Sequence, residues 1–170
     1  MKATVVYQSL WGNTALIAHA IAEGLGPDTK VLSTFAAAPE SLLEDDLLII
    51  GSPVLGFSLP NDKMIESIRA NFGKAPSPPD LTQPSMRTWL GSLPPGKQYF
   101  AAFETRVKGP FGKATPAIYE IMQKLGYRPI TDARQFIVTG TYGPLKDGEV
   151  ERGCAWGTEL KNLYLQRENR

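Results

Sequence analysis

Hydrophobic positions along the chain fall into short apolar runs, each followed by a stretch with helical spacing. Ala3 to Tyr7 is a run of strand length, and Thr14, Ile17, Ala18, Ile21, Ala22 and Leu25 behind it form a stripe at the 3.6-residue period. A second strand is predicted near Lys30 to Ser33. The third, Leu47 to Ile50, ends at Gly51 and is apolar on both faces, as a strand covered on both sides must be. A helix from about Asn61 to Phe72 stops at Gly73. The fourth strand, Tyr99 to Glu104, precedes a helix with Thr115 as cap and Pro116 at its first position, ending before Gly126. A fifth strand, Gln135 to Thr139, leads through a Gly-Pro turn to a last helix over Glu149 to Leu165, with Asp147 as its cap. Five strands joined by helical crossovers predict an α/β fold with a doubly wound parallel sheet and helices on both faces.

The segment from Lys74 to Lys97 breaks this pattern. It holds six of the fourteen prolines and reads as a long ordered insert with a turn around Met86 to Leu90. Trp89, Leu90 and Leu93 are its predicted anchors. At 170 residues the chain fits one domain with a substantial core, so this insert is not a linker. The tail from Gln166 to Arg170 is predicted to fray.

Charge and composition narrow the chemistry. A net charge of +1 argues against nucleic acid or an anionic membrane surface as a partner. The longest apolar runs are too short to span a bilayer, so no integral membrane segment is predicted. The strand beginning at Ala3 leaves no space for a signal peptide, and a cytoplasmic location follows as the expectation. Cys154 and His19 are the single cysteine and histidine, which argues against disulfides, Ser-His-Asp and Cys-His catalysis, and multi-histidine metal sites.

The turn from Ser9 to Thr14 carries the most specific signal. A strand, a tight polar turn and a helix N-terminus together present backbone N–H groups and the positive end of a helix dipole, where an anionic phosphate binds. The turn lacks the lysine of a P-loop and the glycine triplet of a dinucleotide fold. What remains is neutral donors: side chains of Ser9, Asn13 and Thr14, with Gly12 allowing close approach or a positive φ. The competing reading makes Ser9 and Asn13 ordinary helix caps. Trp11, a large aromatic in a polar turn, must pack on something. Three further loops follow the later strands: Gly51 to Phe57, Phe103 to Pro110 and Gly140 to Pro144. A phosphate turn beside loops with aromatics and exposed backbone suits a phosphorylated planar ring.

Ser9-Leu10-Trp11-Gly12-Asn13-Thr14 resembles the phosphate loop of the flavodoxin superfamily. It is similar above all to the form found in flavodoxin-like domains of larger flavoproteins. Gly51-Ser52-Pro53 matches the start of the first ring-binding loop in those relatives. Phe103 to Val107, Gly140 to Glu149 and Ala155-Trp156-Gly157 are similar to small stand-alone flavodoxin-like proteins of actinobacteria. The resemblance covers nearly the whole chain. It implies a flavodoxin-like sheet in the order 2-1-3-4-5, with the ligand at the switch point between strands one and three; flavodoxins with FMN there are the standing example of that rule.

The cofactor so implied is non-covalent FMN. Ser9, Leu10, Trp11, Gly12, Asn13 and Thr14 would hold the phosphate. Ser52, Pro53, Val54, Leu55, Gly56 and Phe57, and Phe103, Glu104, Thr105 and Arg106, would flank the ring. Neither main ring loop has the usual tyrosine or tryptophan, and Phe57 or Tyr142 would take that place. Arg106 is either a cation that favours reduced, anionic flavin or a side chain solvated or paired with Glu104. The function implied is electron transfer between a redox donor and an acceptor, protein or quinone. The alternatives are a flavin-dependent oxidoreductase acting on a quinone or porphyrinogen-type acceptor, or a flavin-free binding module. No side chain stands out as a catalytic acid or base, and no metal ligands are predicted.

Overall fold

The computed structural model describes residues 1–169. Strands β1 (Ala3–Tyr7), β2 (Thr29–Ser33), β3 (Leu47–Pro53), β4 (Tyr99–Val107), β5 (Arg128–Pro129) and β6 (Arg134–Val138) form one parallel sheet. Its order is β2-β1-β3-β4-β5, with β6 also paired to β4. The helices are α1 (Asn13–Leu25), α2 (Asp62–Ala70), α3 (Met86–Gly91), α4 (Thr115–Lys124) and α5 (Glu149–Glu168). The flavodoxin-like order 2-1-3-4-5 is therefore present, with one correction to the predicted five strands. The fifth position is split: β5 pairs with Tyr99 and Phe100, while β6 pairs with Phe103 to Val107 further along β4. Pro129 has no N–H to extend the ladder, and the chain leaves the edge after the Ile130 amide bonds the Phe100 carbonyl at 2.8 Å.

The sheet is buried on both faces. Val6, Leu48, Ile50, Phe100 and Ala102 face a layer with Met86, Trp89, Leu90, Ile118 and Met122. Their strand neighbours Val5, Leu47, Ile49, Ala101 and Phe103 face Ile17, Ile21, Trp156 and Leu160. Successive strand residues point to opposite faces, so two apolar layers leave no alternation in the sequence. On the second face α1 and α5 meet backbone to backbone. A Cβ on Gly24 would lie 1.9 Å from the Cys154 carbonyl oxygen, and one on Gly157 would lie 2.1 Å from that of Ile21.

Helix starts depart from the sequence expectations in two places. Thr115 is not the cap of α4. It lies inside the helix, and its N–H and hydroxyl both donate to the Glu104 carboxylate on β4. Asp147 does not cap α5 either; Gly148 stands at that position, and Glu149 turns inward to accept from the Ile137 amide at 2.7 Å. In both cases a buried carboxylate ties a helix start to a strand. The insert carries a short helix, α3, where a turn was predicted, and Trp89, Leu90 and Leu93 anchor it in the core as expected. The tail is helical through Glu168 instead of frayed from Gln166, and Arg170 lies outside the described residues. Among the described residues no helix is long and apolar enough to cross a membrane.

Candidate functional site

A cavity of about 330 Å³ opens where β1, β3 and β4 end. Ser9, Leu10, Trp11, Asn13 and Thr14 form one end, and Gly12 of the same turn does not line it. Pro53 to Phe57 form one wall, and Thr105 to Val107 with Phe111 form the other. Parallel strands deliver all three loops to the same edge of the sheet, and the connections on either side of β1 run in opposite directions, which leaves the crevice between them.

The turn is built around Gly12, whose φ of 92° is in the left-handed region that favours glycine. The Ser9 hydroxyl accepts from the Gly12 N–H at 3.0 Å, closing the turn on itself. No side chain caps α1. Among the described residues the amides of Leu10, Trp11, Asn13 and Thr14 have no acceptor. These are the orphan donors of a helix start and the turn before it, and at the end of the cavity they are available to an anionic acceptor. The predicted side-chain donors are differently employed. Thr14 Oγ1 shares a buried 2.8 Å hydrogen bond with Thr105 Oγ1 on the facing loop. Asn13 Nδ2 donates to the Tyr142 carbonyl at 3.1 Å, joining the turn to the loop after β6. Trp11 packs edge-on against Tyr142 at 4.8 Å between ring centroids and donates its indole N–H to the Ser77 carbonyl. Protein contacts therefore account for the tryptophan in the turn. The donors left for an anion are the main-chain amides, together with the Ser9 hydroxyl hydrogen, the second Asn13 Nδ2 hydrogen and one hydroxyl hydrogen of the Thr14–Thr105 pair.

Of the ring-loop residues expected from the sequence, Pro53, Val54, Leu55, Gly56, Phe57, Thr105 and Arg106 line the cavity. Three predicted residues do not. Strand β3 runs to Pro53, past its predicted end, so Ser52 lies inside the sheet; Phe103 and Glu104, expected both at the end of the fourth strand and at the start of the ring loop, lie within β4, which continues to Val107. Ser52 is buried and donates to the Pro53 carbonyl. Phe103 packs edge-on to Phe136 and Trp156 in the core. Glu104 holds the start of α4. Tyr142 is likewise not in the wall; it stacks on Trp11 at the phosphate end, and its hydroxyl donates to the Phe72 carbonyl. Phe111, Val107, Val138 and Thr141 line the cavity without having been singled out. The signal for Phe111 was present: an aromatic set in Gly109-Pro110-Phe111-Gly112 is poorly placed for a core residue. Phe57 and Phe111 stand 66% and 47% exposed with ring centroids 6.5 Å apart, forming an aromatic rim.

Arg106 is paired with Glu104, as one of the two expectations for it had it. Its guanidinium lies 3.6 Å from Glu104 Oε1, with both side chains buried. It also donates to the carbonyls of Val107 and Gly109, gripping the loop that carries Phe111. Glu104 Oε2 accepts from the amides of Ala114 and Thr115 and from the Thr115 hydroxyl at 2.7 to 3.0 Å. One buried ion pair thus fixes both ends of the β4–α4 loop, and the arginine charge is opposed from beneath.

The insert reaches the phosphate end. The Asp80 N–H donates to the Leu10 carbonyl at 2.8 Å. Burial would raise the Asp80 carboxyl, but hydrogen bonds from Thr82 and Gln83 outweigh it and hold the group below the ordinary range. Asp62, at the start of α2, takes hydrogen bonds from the hydroxyls of Ser85 and Thr88, which lower its carboxyl in the same way. Among the described residues no cluster of metal-ligating side chains occurs.

No family profile and no curated protein sequence matches the chain. Solved structures do. A flavodoxin from the domain Archaea superposes with a TM-score of 0.67 at 22% identity, covering 97% of this chain and 99% of that one. The Streptococcus pneumonia TIGR4 flavodoxin gives 0.66 at 19% identity, covering 95% and 99%. Oxidised Flavodoxin 2 from Bacillus cereus gives 0.65 at 18% identity, covering 98% and 99%. Strand order, the crevice beyond β1 and β3, and overlap along nearly the whole of each partner agree: this chain has the flavodoxin fold.

Proposed function

We propose that the crevice binds FMN and that the protein transfers electrons between a reduced donor and an acceptor, a protein or a quinone, in the cytoplasm. The observation that carries this reading is the set of unpartnered amides at Leu10, Trp11, Asn13 and Thr14 at one end of an apolar crevice. Phosphate supplies the acceptors those amides lack, and the dipole of α1 adds to the attraction without a cation. The residues fit the rest of the cofactor as well. Pro53 to Phe57 and Thr105 to Val107 with Phe111 would flank a planar ring.

When bound, FMN supplies one-electron and hydride chemistry. The chain contributes binding, orientation and exclusion of water from the ring face. The exposed edges of Phe57 and Phe111 leave one side of the crevice open to a redox partner. Purified protein titrated with FMN tests the reading: quenched flavin fluorescence and a perturbed visible spectrum at one equivalent support it. Absence of binding overturns it and favours a flavin-free module. Rapid reoxidation by a quinone would move the assignment to an oxidoreductase acting on small acceptors.

A further inference from the structure

The turn from Ser9 to Thr14 is held from outside. The last sheet contact of this segment is the Gln8 amide on the Gly51 carbonyl at 3.1 Å. Beyond it, Ser9 and Leu10 have left β1 and have no neighbouring strand. Their main-chain groups are taken up by the insert. The Ser9 N–H donates to Gln83 Oε1 at 2.9 Å, and Gln83 Nε2 donates back to the Ser9 carbonyl at 3.1 Å. One side-chain amide thus pairs with both main-chain groups of one residue, as an adjacent strand would. Gln83 is 8% exposed. Its remaining Nε2 hydrogen goes to Asp80 Oδ2 at 2.7 Å, and Asp80 Oδ1 is fixed by the N–H and hydroxyl of Thr82.

Neighbouring contacts brace the same stretch. The Met86 amide donates to Gln8 Oε1 at 2.7 Å, and Thr34 donates to the Pro84 carbonyl at 2.8 Å. None of Asp80, Thr82 and Gln83 lines the crevice. The insert therefore shapes the turn without occupying the place of a ligand. Prolines at 76, 78, 79 and 84 restrict the segment before any ligand arrives.

We propose that Gln83 is a positioning residue for anion recognition, and that the Pro-rich insert is a strap whose Gln83–Ser9 pairing holds the phosphate turn in its binding shape. The proposal rests on the FMN reading for its ligand, but the pairing itself is testable without flavin. Gln83 occupies the Ser9 N–H, Asp80 occupies the Leu10 carbonyl, and the amides of Leu10, Trp11, Asn13 and Thr14 stay free. Loss of the pairing leaves two buried main-chain groups unsatisfied, which the turn relieves by rearranging. The effect falls on the phosphate end alone, because the ring walls are anchored by other residues.

The experiment compares wild type with Gln83→Met, which keeps the volume and removes the hydrogen bonds, and with Gln83→Ala. Dissociation constants for FMN and for riboflavin, which lacks the phosphate, are measured by flavin fluorescence quenching. The ratio of the FMN to the riboflavin dissociation constant is expected to rise about tenfold or more in both variants, equivalent to one lost hydrogen bond to a charged group, with riboflavin affinity held within about twofold. Amide hydrogen exchange on flavin-free protein is read alongside. Ser9 is expected to exchange at least about tenfold faster in Gln83→Met, with Val5 and Val6 unchanged. An unaltered FMN-to-riboflavin ratio in a folded Gln83→Met variant overturns the proposal. If wild type binds neither flavin, the function reading fails. Inorganic phosphate titrated against the amide resonances of Leu10, Trp11, Asn13 and Thr14 then decides the strap: equal shifts in wild type and variant refute it.

Discussion

Replacing Glu104 with alanine removes a carboxylate that carries the start of α4 and the partner of Arg106 in one step. Glu104 Oε2 accepts three hydrogen bonds, at 2.7, 2.9 and 3.0 Å, from groups that are buried. Hydrogen bonds to a charged group contribute about 1.5–3 kcal/mol each, so three at the low end sum to roughly 4.5 kcal/mol. A second route gives a similar figure: breaking a buried ion pair on one side costs about 3–5 kcal/mol, since the arginine is left uncompensated. An ordinary side-chain cap is worth only about 1 kcal/mol, so burial and charge make the difference. Glu104→Ala is therefore expected to lose about 4 kcal/mol, a large share of a total stability of about 5–15 kcal/mol. For a chain of this length that lowers Tm by about 8–16 °C.

The assay is urea unfolding followed by far-ultraviolet circular dichroism, with the m-value checked for constancy. Glu104→Gln separates the two contributions. It keeps an oxygen for the Ala114 and Thr115 amides but removes the charge facing Arg106, and is expected to fall about midway. Native-state trypsin cleavage after Lys108 or Lys113 should accelerate in the alanine variant, because those lysines lie in the loop that the pair holds. A loss below about 1 kcal/mol in Glu104→Ala, the size of a plain exposed cap, would refute the reasoning.

Further outcomes are expected for five other variants. Gly12→Leu should fold with a strain of about 1–2 kcal/mol, since φ is 92° and nothing lies within 4 Å of an added Cβ, and should weaken FMN binding because relief of that strain shifts the amides on either side of position 12. Thr14→Ala should weaken FMN about tenfold in the same fluorescence titration. Gly157→Ala should lose about 3 kcal/mol or more in urea unfolding, since its Cβ meets the Ile21 carbonyl oxygen at 2.1 Å; Gly91→Ala, with open space around it, should gain about 0.5–1 kcal/mol. Burial pushes the Tyr119 phenol up to about 12. An unfolded tyrosine ionises near pH 10, so from about pH 10 to 12 the unfolded chain loses a proton that the native chain keeps, and stability falls as pH rises. Tyr119→Phe should flatten that part of the alkaline stability profile, measured as the urea midpoint against pH.

Order and type of elements were legible because they depend on local chemistry. The apolar runs at Ala3 to Tyr7 and Leu47 to Ile50 could only be buried strands, and the stripe from Thr14 to Leu25 could only be one face of a helix. The turn at Ser9 to Thr14 announced itself for the same reason: its glycine and its place before a helix are properties of six consecutive residues. Strand ends were not legible. Ser52 was read as a loop residue, and Phe103 and Glu104 as both a strand end and a loop start, but pairing with neighbouring strands carried β3 to Pro53 and β4 to Val107. The first residues of each predicted ring loop therefore lie in the sheet, and the walls begin at Pro53 and Thr105.

Tertiary structure alone decided the rest, because each deciding contact joins residues far apart in the chain. Nothing near position 83 marks Gln83 as the partner of Ser9, 74 residues away. Nothing near Glu104 shows that its carboxylate, rather than the Thr115 side chain, satisfies the start of α4. Nothing near Trp11 shows that Tyr142 and the Ser77 carbonyl lie against it, 131 and 66 residues away. Local sequence determines which backbone groups a segment exposes; only the packed chain determines which are already satisfied, and the binding site is what is left over.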